Sequence, residues 1–454
     1  MSEQQDEHIR IQAHELYDPQ VDKALSQQRQ GRERIVADPP PVSPIKRLLL
    51  NSLFYLPFAS VLGALACWMM LEPKIDDFPV VGGEVQLINS DPFDTGPGMK
   101  SLTIGNNEVY VDPDKTEFEV GAQGQPAFTS FDQIQVGTKV EATGLEQGSR
   151  LIAASIRPTD DPSPRGNVDK PMWPLFLLFP LTAALIALGL LLAEGLTTRN
   201  WIRMIERSLL GSFMAALFAT LAFLPAGLIL SISQSTLQDE LAHGDKMIVT
   251  IKDVSAWHFF VFAACRSAAW ACIGCATGLG MNIVRSTKTQ LRNSVIGGAL
   301  GGALGGLFFD PIDRWWKASM FEGGDMSRLV GLLAVGLSIG IFVALVERLG
   351  RDAWLRVRTG PLAGKSFILY KTPTILGSSP QSDVYLFKDA EIDASHAQIH
   401  RVGTVYEIED MSSRMGTSVG GNKVRRRRLV SGDQIIIGST ILDFEERAKR
   451  TPVG

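Results

Sequence analysis

The sequence predicts a multi-domain membrane protein: a six-span α-helical bundle, a small β domain after the first span and a C-terminal β-sandwich. Three observations support this fold class. Stretches of about 20 apolar residues recur along the chain, and that length crosses a bilayer core. Charged residues make up 20% of the 454 residues, below the share of about a quarter in typical soluble domains. Short β-branched runs separated by glycine turns fill the loop after the first span and the last hundred residues.

A polar tail, residues 1–47, comes before the first apolar stretch. It mixes acidic and basic residues and carries three prolines in a row, Pro39–Pro41. This composition predicts a partly helical, partly disordered lead. The first apolar stretch is too long for the apolar core of a signal peptide, so we expect it to be an uncleaved anchor.

Six stretches are apolar enough to be membrane spans. They are Leu48–Leu71, Met172–Ala193, Leu209–Ile232, Trp257–Val284, Ser294–Phe309 and Leu329–Val346. The last five form a bundle over residues 172–348. The fifth stretch is short, and a re-entrant segment is an alternative there.

Basic residues in the short loops predict the orientation of the bundle. With six spans, the loops after spans two, four and six fall on the same side as the tail. These loops carry Arg199, Arg203, Arg207, Arg285, Lys288, Arg292, Arg348, Arg351, Arg356 and Arg358. Because cytoplasmic loops are enriched in Lys and Arg, we expect a multi-pass protein of the cell inner membrane with both termini in the cytoplasm.

Glycines recur every four residues in the fifth span. One register contains Gly298, Gly302 and Gly306, and the sixth span has Gly336 and Gly340 at the same spacing. A stripe without side chains lets a second helix backbone approach closely. The pattern predicts tight packing of spans four, five and six. A channel lined by the stripe is the alternative, although the stripe has almost no polar side chains to coordinate a solute.

One arginine, Arg266, lies inside the fourth span. A charged side chain at that depth is costly and is expected to face a partner inside the bundle. Asp310, at the outer end of the fifth span, is the nearest candidate. We therefore expect an intramembrane charge pair, for which structural and functional roles both remain open.

The loop after the first span is too long for a simple connection. Residues 78–158 contain five alternating segments: Gly83–Ile88, Ser101–Ile104, Glu108–Val111, Thr138–Thr143 and Leu151–Ile156. Their order resembles the small OB-like barrels of bacterial extracytoplasmic domains. Such barrels often bind nucleic acid through aromatic and basic surfaces, but this segment has few aromatic and many acidic residues. We expect an extracytoplasmic domain that binds no nucleic acid, joined to the membrane by a tether over residues 161–169.

The last hundred residues contain short predicted strands, and the turn residues between them follow a recognisable order. In order they contain Gly377, His396, Gly416-Thr417, Gly421, Leu429, Gly432-Asp433 and Ile437-Gly438. This order resembles that of a forkhead-associated (FHA) domain, which implies a β-sandwich over residues 352–447. The resemblance implies a structural role for Gly377, His396, Gly416 and Thr417, with the histidine bracing the recognition loops.

The phosphate-binding positions depart from the FHA pattern. FHA domains hold phosphothreonine through an arginine, a serine and an asparagine. Here those positions hold Ser378, Asp393 and Met415. The bidentate guanidinium is missing, and a carboxylate about 4 Å from a phosphate charge would cost roughly 4 kcal/mol at an effective dielectric near 20. We expect a retained fold that has lost its phosphate site.

Partner binding is still expected on the same loop face. That face comprises Ser378, Ser379, Asp393, Ser395, Ser412, Ser413, Arg414 and Met415. The alternative is a displaced phosphate site that uses Arg401, Arg414, Lys423 or the hydroxyls of Ser379 and Ser412. The four arginines Arg425–Arg428 could contact anionic lipid, an acidic partner or only solvent.

These observations favour a membrane-anchored adaptor that recruits a cytosolic protein, which could be a phosphoprotein, independently of phosphothreonine. No P-loop, kinase signature or hydrolase motif occurs in the sequence, so we expect no enzyme activity, cofactor or metal. A transporter or channel regulated by the FHA-like module is the alternative. The oligomeric state stays open.

Overall fold

A computed structural model of the chain describes residues 43–74, 80–90, 99–114, 116–121, 125–147, 150–160, 165–168, 173–243, 255–282, 287–316 and 325–447. Most of the polar tail predicted over residues 1–47 lies outside these ranges. The chain forms two compact units. Among the described residues, one unit lies within 55–194 and 204–348, and the other within 43–54, 195–203 and 349–447.

The described residues contain six long helices. They are α1 (Ser52–Leu71), α2 (Trp173–Thr198), α3 (Trp201–His243), α4 (Ala256–Asn282), α5 (Lys288–Trp316) and α6 (Asp325–Gly350). A short helix, Pro44–Leu49, precedes α1. Within the described residues, α1, α2, α3, α4 and α6 are long and apolar enough to cross a membrane.

The fifth predicted span is a continuous helix. Helix α5 has 29 residues, which is about 43 Å at 1.5 Å per residue. A re-entrant turn over residues 294–309 is therefore wrong. Since α5 is not among the five apolar helices, the count of six spans stays a prediction.

Helix α5 packs between two neighbours through its two glycine registers. A methyl group built on Gly302 would overlap the carbonyl oxygen of Trp270 in α4. Gly274 of α4 and Gly298 of α5 each meet the other's carbonyl oxygen in the same way. The second register of α5 meets α6, where a methyl group on Gly301 would overlap the backbone of Ile339. The stripe therefore brings helix backbones together on both sides of α5.

The glycines of α6 have a different partner from the one the sequence indicated. Gly336 lies against Ser60 and Ala64 of α1. Gly340 lies against Pro57 of the same helix. The predicted unit of spans four to six is thus incomplete, because α6 turns its Gly336–Gly340 face to α1 and a different face to α5.

An ion pair joins α6 to the end of α1. The guanidinium of Arg328 binds the carboxylate of Glu72, with Nε 3.0 Å from Oε2 and Nη2 2.5 Å from Oε1. Both side chains are mostly buried. Breaking one half would leave an uncompensated charge, so this pair fixes the two helix ends.

The structure describes only one side chain of the predicted pair of Arg266 and Asp310. The guanidinium carbon of Arg266 lies 4.4 Å from the ring centroid of Phe262, one helical turn away. The side chain of Asp310 lies outside the described residues. The pairing therefore stays a prediction.

The β domain after α1 is a closed five-stranded barrel with two added strands. Its strands are β1 (Val80–Asn89), β2 (Lys100–Ile104), β3 (Asn107–Val111), β4 (Glu117–Phe118), β5 (Lys139–Gln147), β6 (Arg150–Pro158) and β7 (Arg165–Val168). The barrel runs β1-β2-β3-β6-β5 and closes from β5 onto β1. All pairs in this circuit are antiparallel except β3 with β6.

The five predicted strands are all present, and the OB-like assignment remains a prediction. The segment predicted as a tether contains β7, which pairs with β1. Its proline and glycine content suggested a linker. The strand forms because β2 pairs with β1 only from Val85 onward, which leaves the start of that edge of β1 open to β7. The barrel is filled by apolar side chains such as Leu102, Ile104 and Ile156.

The C-terminal module is a sandwich of two sheets. Its strands are β8 (Ala353–Val357), β9 (Ser366–Ile368), β10 (Thr374–Gly377), β11 (Val384–Tyr385), β12 (Ala397–Val402), β13 (Val405–Asp410), β14 (Thr417–Val419), β15 (Asn422–Val424), β16 (Arg426–Leu429), β17 (Gln434–Ile437) and β18 (Thr440–Glu446). One sheet has the order β11-β10-β12-β13-β16 and the other β15-β14-β17-β18-β8-β9. Between them lies a single apolar core that includes Leu355, Leu376, Ile408 and Phe444.

Candidate functional site

The loops that follow β10, precede β12 and follow β13 meet at one end of the sandwich. We call this end the loop face. Gly377 allows the first two loops to touch, because a methyl group there would overlap the carbonyl of Ala394. Ser378 then donates its Oγ to the carbonyl of Ile392 at 2.8 Å and its N–H to that of Asp393 at 3.0 Å. Ser378 stands where the FHA pattern has an arginine, and its hydroxyl is thus engaged in a hydrogen bond within the module.

A buried histidine braces the second and third loops. His396 is fully buried. Its Nδ1 accepts the N–H of Asp393 at 3.1 Å, and its Nε2 lies 3.3 Å from the carbonyl oxygen of Gly416. One imidazole therefore fixes two loops at once, since the first contact makes Nδ1 the acceptor and leaves Nε2 to donate.

The third loop is held by a carboxylate at the end of β13. The carboxylate of Asp410 accepts hydrogen bonds from Ser413 Oγ at 2.6 Å and from Thr417 Oγ1 at 2.8 Å. Ser412 has a positive φ of 59°, and Gly416 has one of 70°. These contacts shape the turn that presents Arg414.

A salt bridge across the loop face joins Asp393 to Arg414. The carboxylate accepts the Arg414 N–H at 2.7 Å and its guanidinium Nε at 2.6 Å. The arginine side chain is 73% exposed. We call this contact the clasp. Asp393 is therefore a neutralised carboxylate, and it engages both the backbone N–H and the guanidinium of Arg414.

The clasp favours the charged form of Asp393. The backbone N–H of Arg414, followed by its guanidinium, holds the pKa of the carboxyl below its ordinary value of 3.8. A lowered folded-state pKa stabilises the fold above the ordinary value. That stabilisation is lost as the pH falls through the folded-state pKa.

We expect Asp393→Asn to lower the thermal midpoint at neutral pH and to matter less in acid. The difference from the native protein should shrink as the pH falls below 3.8, because the native carboxylate is then protonated as well. Thermal unfolding of both proteins from pH 7 to pH 3 tests this. A difference that stays constant over the range would show that the charge of Asp393 contributes nothing.

The remaining predicted loop-face residues are exposed or partly exposed. Ser395 and Ser412 are exposed, and Met415 is partly exposed. Ser379 points its Oγ to Gln381 Oε1 at 2.5 Å. The face therefore offers hydroxyls, one thioether and a neutralised ion pair, which suits a polar protein surface.

The three cations considered above for a displaced phosphate site lie in different places. Arg401 lies near the far end of β12 and pairs with Asp352 at 2.9 Å. It is five positions along the chain from His396, which is about 17 Å along a strand. Lys423 reaches the loop face, where its side chain packs along Gly416. Arg414 is engaged by Asp393, and the displaced site stays a prediction.

The arginine run divides its side chains between two directions. Arg426 pairs with Glu407 on the outer face of the sheet at 2.8 Å. Arg427 points inward and donates to the carbonyl of Val419 at 2.9 Å. Arg425 and Arg428 are exposed. Two of the four charges are therefore engaged within the module, and contact with lipid stays a prediction.

The sequence did not predict the structural role of Asp389, which stabilises the second loop. Asp389 accepts the N–H and Oγ of Ser439 and the Oγ1 of Thr440, which ties the second loop to the β17–β18 turn. Burial by itself raises the pKa of Asp389, but the hydrogen bonds outweigh it and the pKa lies below its usual range. Gly438 makes this approach possible, because a side chain there would press on Asp389 and Ile392.

Comparison with known proteins agrees with this geometry. The family model of the FHA domain matches residues 374–438. An oxoglutarate dehydrogenase inhibitor of Corynebacterium jeikeium is 37% identical over 98 residues, which are 22% of this chain and 67% of the relative. The chain belongs to the FHA-domain proteins. The glycogen accumulation regulator GarA of Mycolicibacterium smegmatis is 35% identical over 20% of the chain and 58% of its own length.

The family model lies within the C-terminal module. A solved FHA domain from Chlamydia trachomatis is 29% identical over 21% of this chain and 99% of that chain, with a TM-score of 0.20. The chain spans about two thirds or less of the length of the curated relatives it matches. The FHA domain is an interaction module, and the range of its family model, residues 374–438, contains no residue of the helices or the barrel.

Proposed function

We propose that this protein is a membrane-anchored adaptor whose FHA domain recruits a cytosolic protein partner without requiring phosphothreonine. The anchor is the helical bundle, with both termini in the cytoplasm, and the barrel is extracytoplasmic. Five long apolar helices support the anchor. The FHA match supports partner recruitment.

The clasp is the observation that carries the phosphate-independent part. Asp393 already occupies the Arg414 N–H and guanidinium. A phosphate entering there would have to displace the carboxylate and meet its negative charge. Ser378 is neutral and supplies no compensating cation, and its hydroxyl already donates to the carbonyl of Ile392.

The exposed polar groups of the loop face are suited to binding a protein that is not phosphorylated. Ser395 and Ser412 are exposed beside the clasp. Hydroxyls and backbone groups of this kind form the polar part of a typical protein–protein interface. In this proposal the module acts as a docking surface, with no catalytic role and no cofactor.

A capture experiment with the whole protein tests the proposal. The tagged chain in lipid nanodiscs is incubated with a lysate of the native host, divided into untreated and phosphatase-treated halves. We expect the same partner in both halves. Ser395→Arg on the loop face should lower its recovery at least tenfold. Val402→Arg, which adds the same charge at the far end of β12, should leave recovery unchanged.

Two results would contradict the proposal. Loss of the partner after phosphatase treatment would show that phosphorylation is required. Equal recovery with Ser395→Arg would show that the partner binds another surface.

A further inference from the structure

The segment between α2 and α3 contacts the first recognition loop of the FHA domain. We call this segment, residues 195–203, the connector; it forms one compact unit with the module. Arg203 donates its Nη1 to the carbonyl of Ser382 at 3.1 Å and its Nη2 to the carbonyl of Gln381. Asn200 donates its Nδ2 to the carbonyl of Pro380 at 2.7 Å. Three successive loop carbonyls are thus bound by the connector.

The connector is itself held in shape for this contact. Asn200 is 7% exposed, and its Oδ1 accepts the N–H of Arg203 at 3.3 Å, so it also caps the N-terminus of α3. Arg199 has a positive φ of 53°, a conformation that costs energy for a non-glycine residue and persists only where the surroundings enforce it. Its guanidinium carbon lies 5.7 Å from the ring centroid of Phe387.

A second anchor comes from the module side. Lys365 is only 6% exposed, and its ammonium donates to Thr197 Oγ1 at 2.8 Å. A buried ammonium is costly without hydrogen-bond acceptors. This contact therefore also favours the docked connector.

The loop that the connector holds is bonded directly to the clasp-bearing loop. The N–H of Ser379 and the Oγ of Ser382 both donate to the carbonyl of Ala394, at 3.2 and 2.9 Å. The N–H of Ser378 donates to the carbonyl of Asp393. The contacts therefore run from the connector through residues 378–382 to the backbone of Asp393, whose carboxylate forms the clasp.

We propose that the connector is an intramolecular clamp that sets the conformation of the FHA recognition loop 378–382. The clamp couples the loop face to the two helices that the connector joins. Movement of α2 against α3 changes the loop face, and an occupant that shifts the loop must also release Asn200 and Arg203, as thermodynamic linkage requires. This goes beyond the adaptor role, because it makes the membrane helices a control element for the docking surface.

Hydrogen exchange of the full-length protein in nanodiscs tests the clamp. The double variant Asn200→Ser/Arg203→Ala keeps a helix cap but removes the donors to the loop. We expect the backbone amides of Ser378, Ser379, Gln381 and Ser382 to exchange at least tenfold faster than in the native protein. Arg207→Ala removes the same charge one turn further along α3 and should exchange like the native protein.

The strands β12 and β13 serve as an internal reference for folding. Unchanged exchange of the loop in the double variant, with both strands protected, would overturn the proposal. If the double variant loses protection in these strands, Arg203→Lys decides. Its single ammonium cannot serve two carbonyls in fork geometry, so we expect faster loop exchange with the strands intact, and native exchange would overturn the clamp. No partner is needed, so the result is independent of the adaptor proposal.

Discussion

Replacing Gly302 with alanine should lower the thermal midpoint of the detergent-purified protein by several degrees. The added methyl group would overlap the carbonyl oxygen of Trp270 in α4, so the two helices must separate along their whole contact. Overpacking of this kind costs about 1–3 kcal/mol. Leucine at the same position requires a far larger separation, and we expect it to prevent recovery of a monodisperse protein.

Gly227 provides a matched control for the same chemical change. It lies inside α3, and the nearest atom to a methyl group built there is Phe223 Cε1 at 4.0 Å. Alanine should be tolerated, with a small gain from its better helix propensity of up to about 1 kcal/mol. Equal midpoints for Gly302→Ala and Gly227→Ala would show that the glycine contacts of α4 and α5 do not hold the bundle together.

The double variant Ser378→Arg/Asp393→Ser should acquire a preference for phosphothreonine. The first change supplies a guanidinium at the position where the FHA pattern has one. The second removes the competing carboxylate and frees Arg414. Hydrogen bonds to a charged group contribute about 1.5–3 kcal/mol each. We expect at least a tenfold preference for a phosphothreonine peptide over its unmodified twin, equivalent to about 1.4 kcal/mol.

Fluorescence anisotropy with paired peptides measures this gain. The control variant Val402→Arg/Asp393→Ser has the same net charge, with its new arginine at the far end of β12. It should show a smaller preference, because only the carboxylate has been removed. Equal preferences for the two double variants would show that non-specific charge, and not the geometry of position 378, provides the selectivity.

The order of turns was enough to predict the module. The motif residues lie where the FHA order places them, and their roles are local. Gly377 leaves room for the carbonyl of Ala394, and His396 contacts the carbonyl oxygen of Gly416. Strand β16 contains three arginines, which obscure the alternating pattern of a strand. Only its pairing with β13 shows that Arg427 and Leu429 face inward.

Contacts between distant parts of the chain could not be predicted. The sequence shows a carboxylate, Asp393, where the FHA pattern has a hydroxyl, but it does not show which cation balances the charge. Its counter-ion, Arg414, is 21 residues away on another loop. The contacts of the connector give no sequence pattern at all on the loop side. Asn200 and Arg203 bind backbone carbonyls there, which any residue would supply.

The central claim is that the FHA domain of this protein does not discriminate phosphothreonine from threonine. The most direct measurement is binding of the native full-length protein in nanodiscs to two degenerate peptide libraries, one with a central threonine and one with phosphothreonine. With Asp393 and Arg414 clasped, we predict the same retention of both libraries within about twofold. A tenfold or greater preference for the phosphorylated library would contradict the claim.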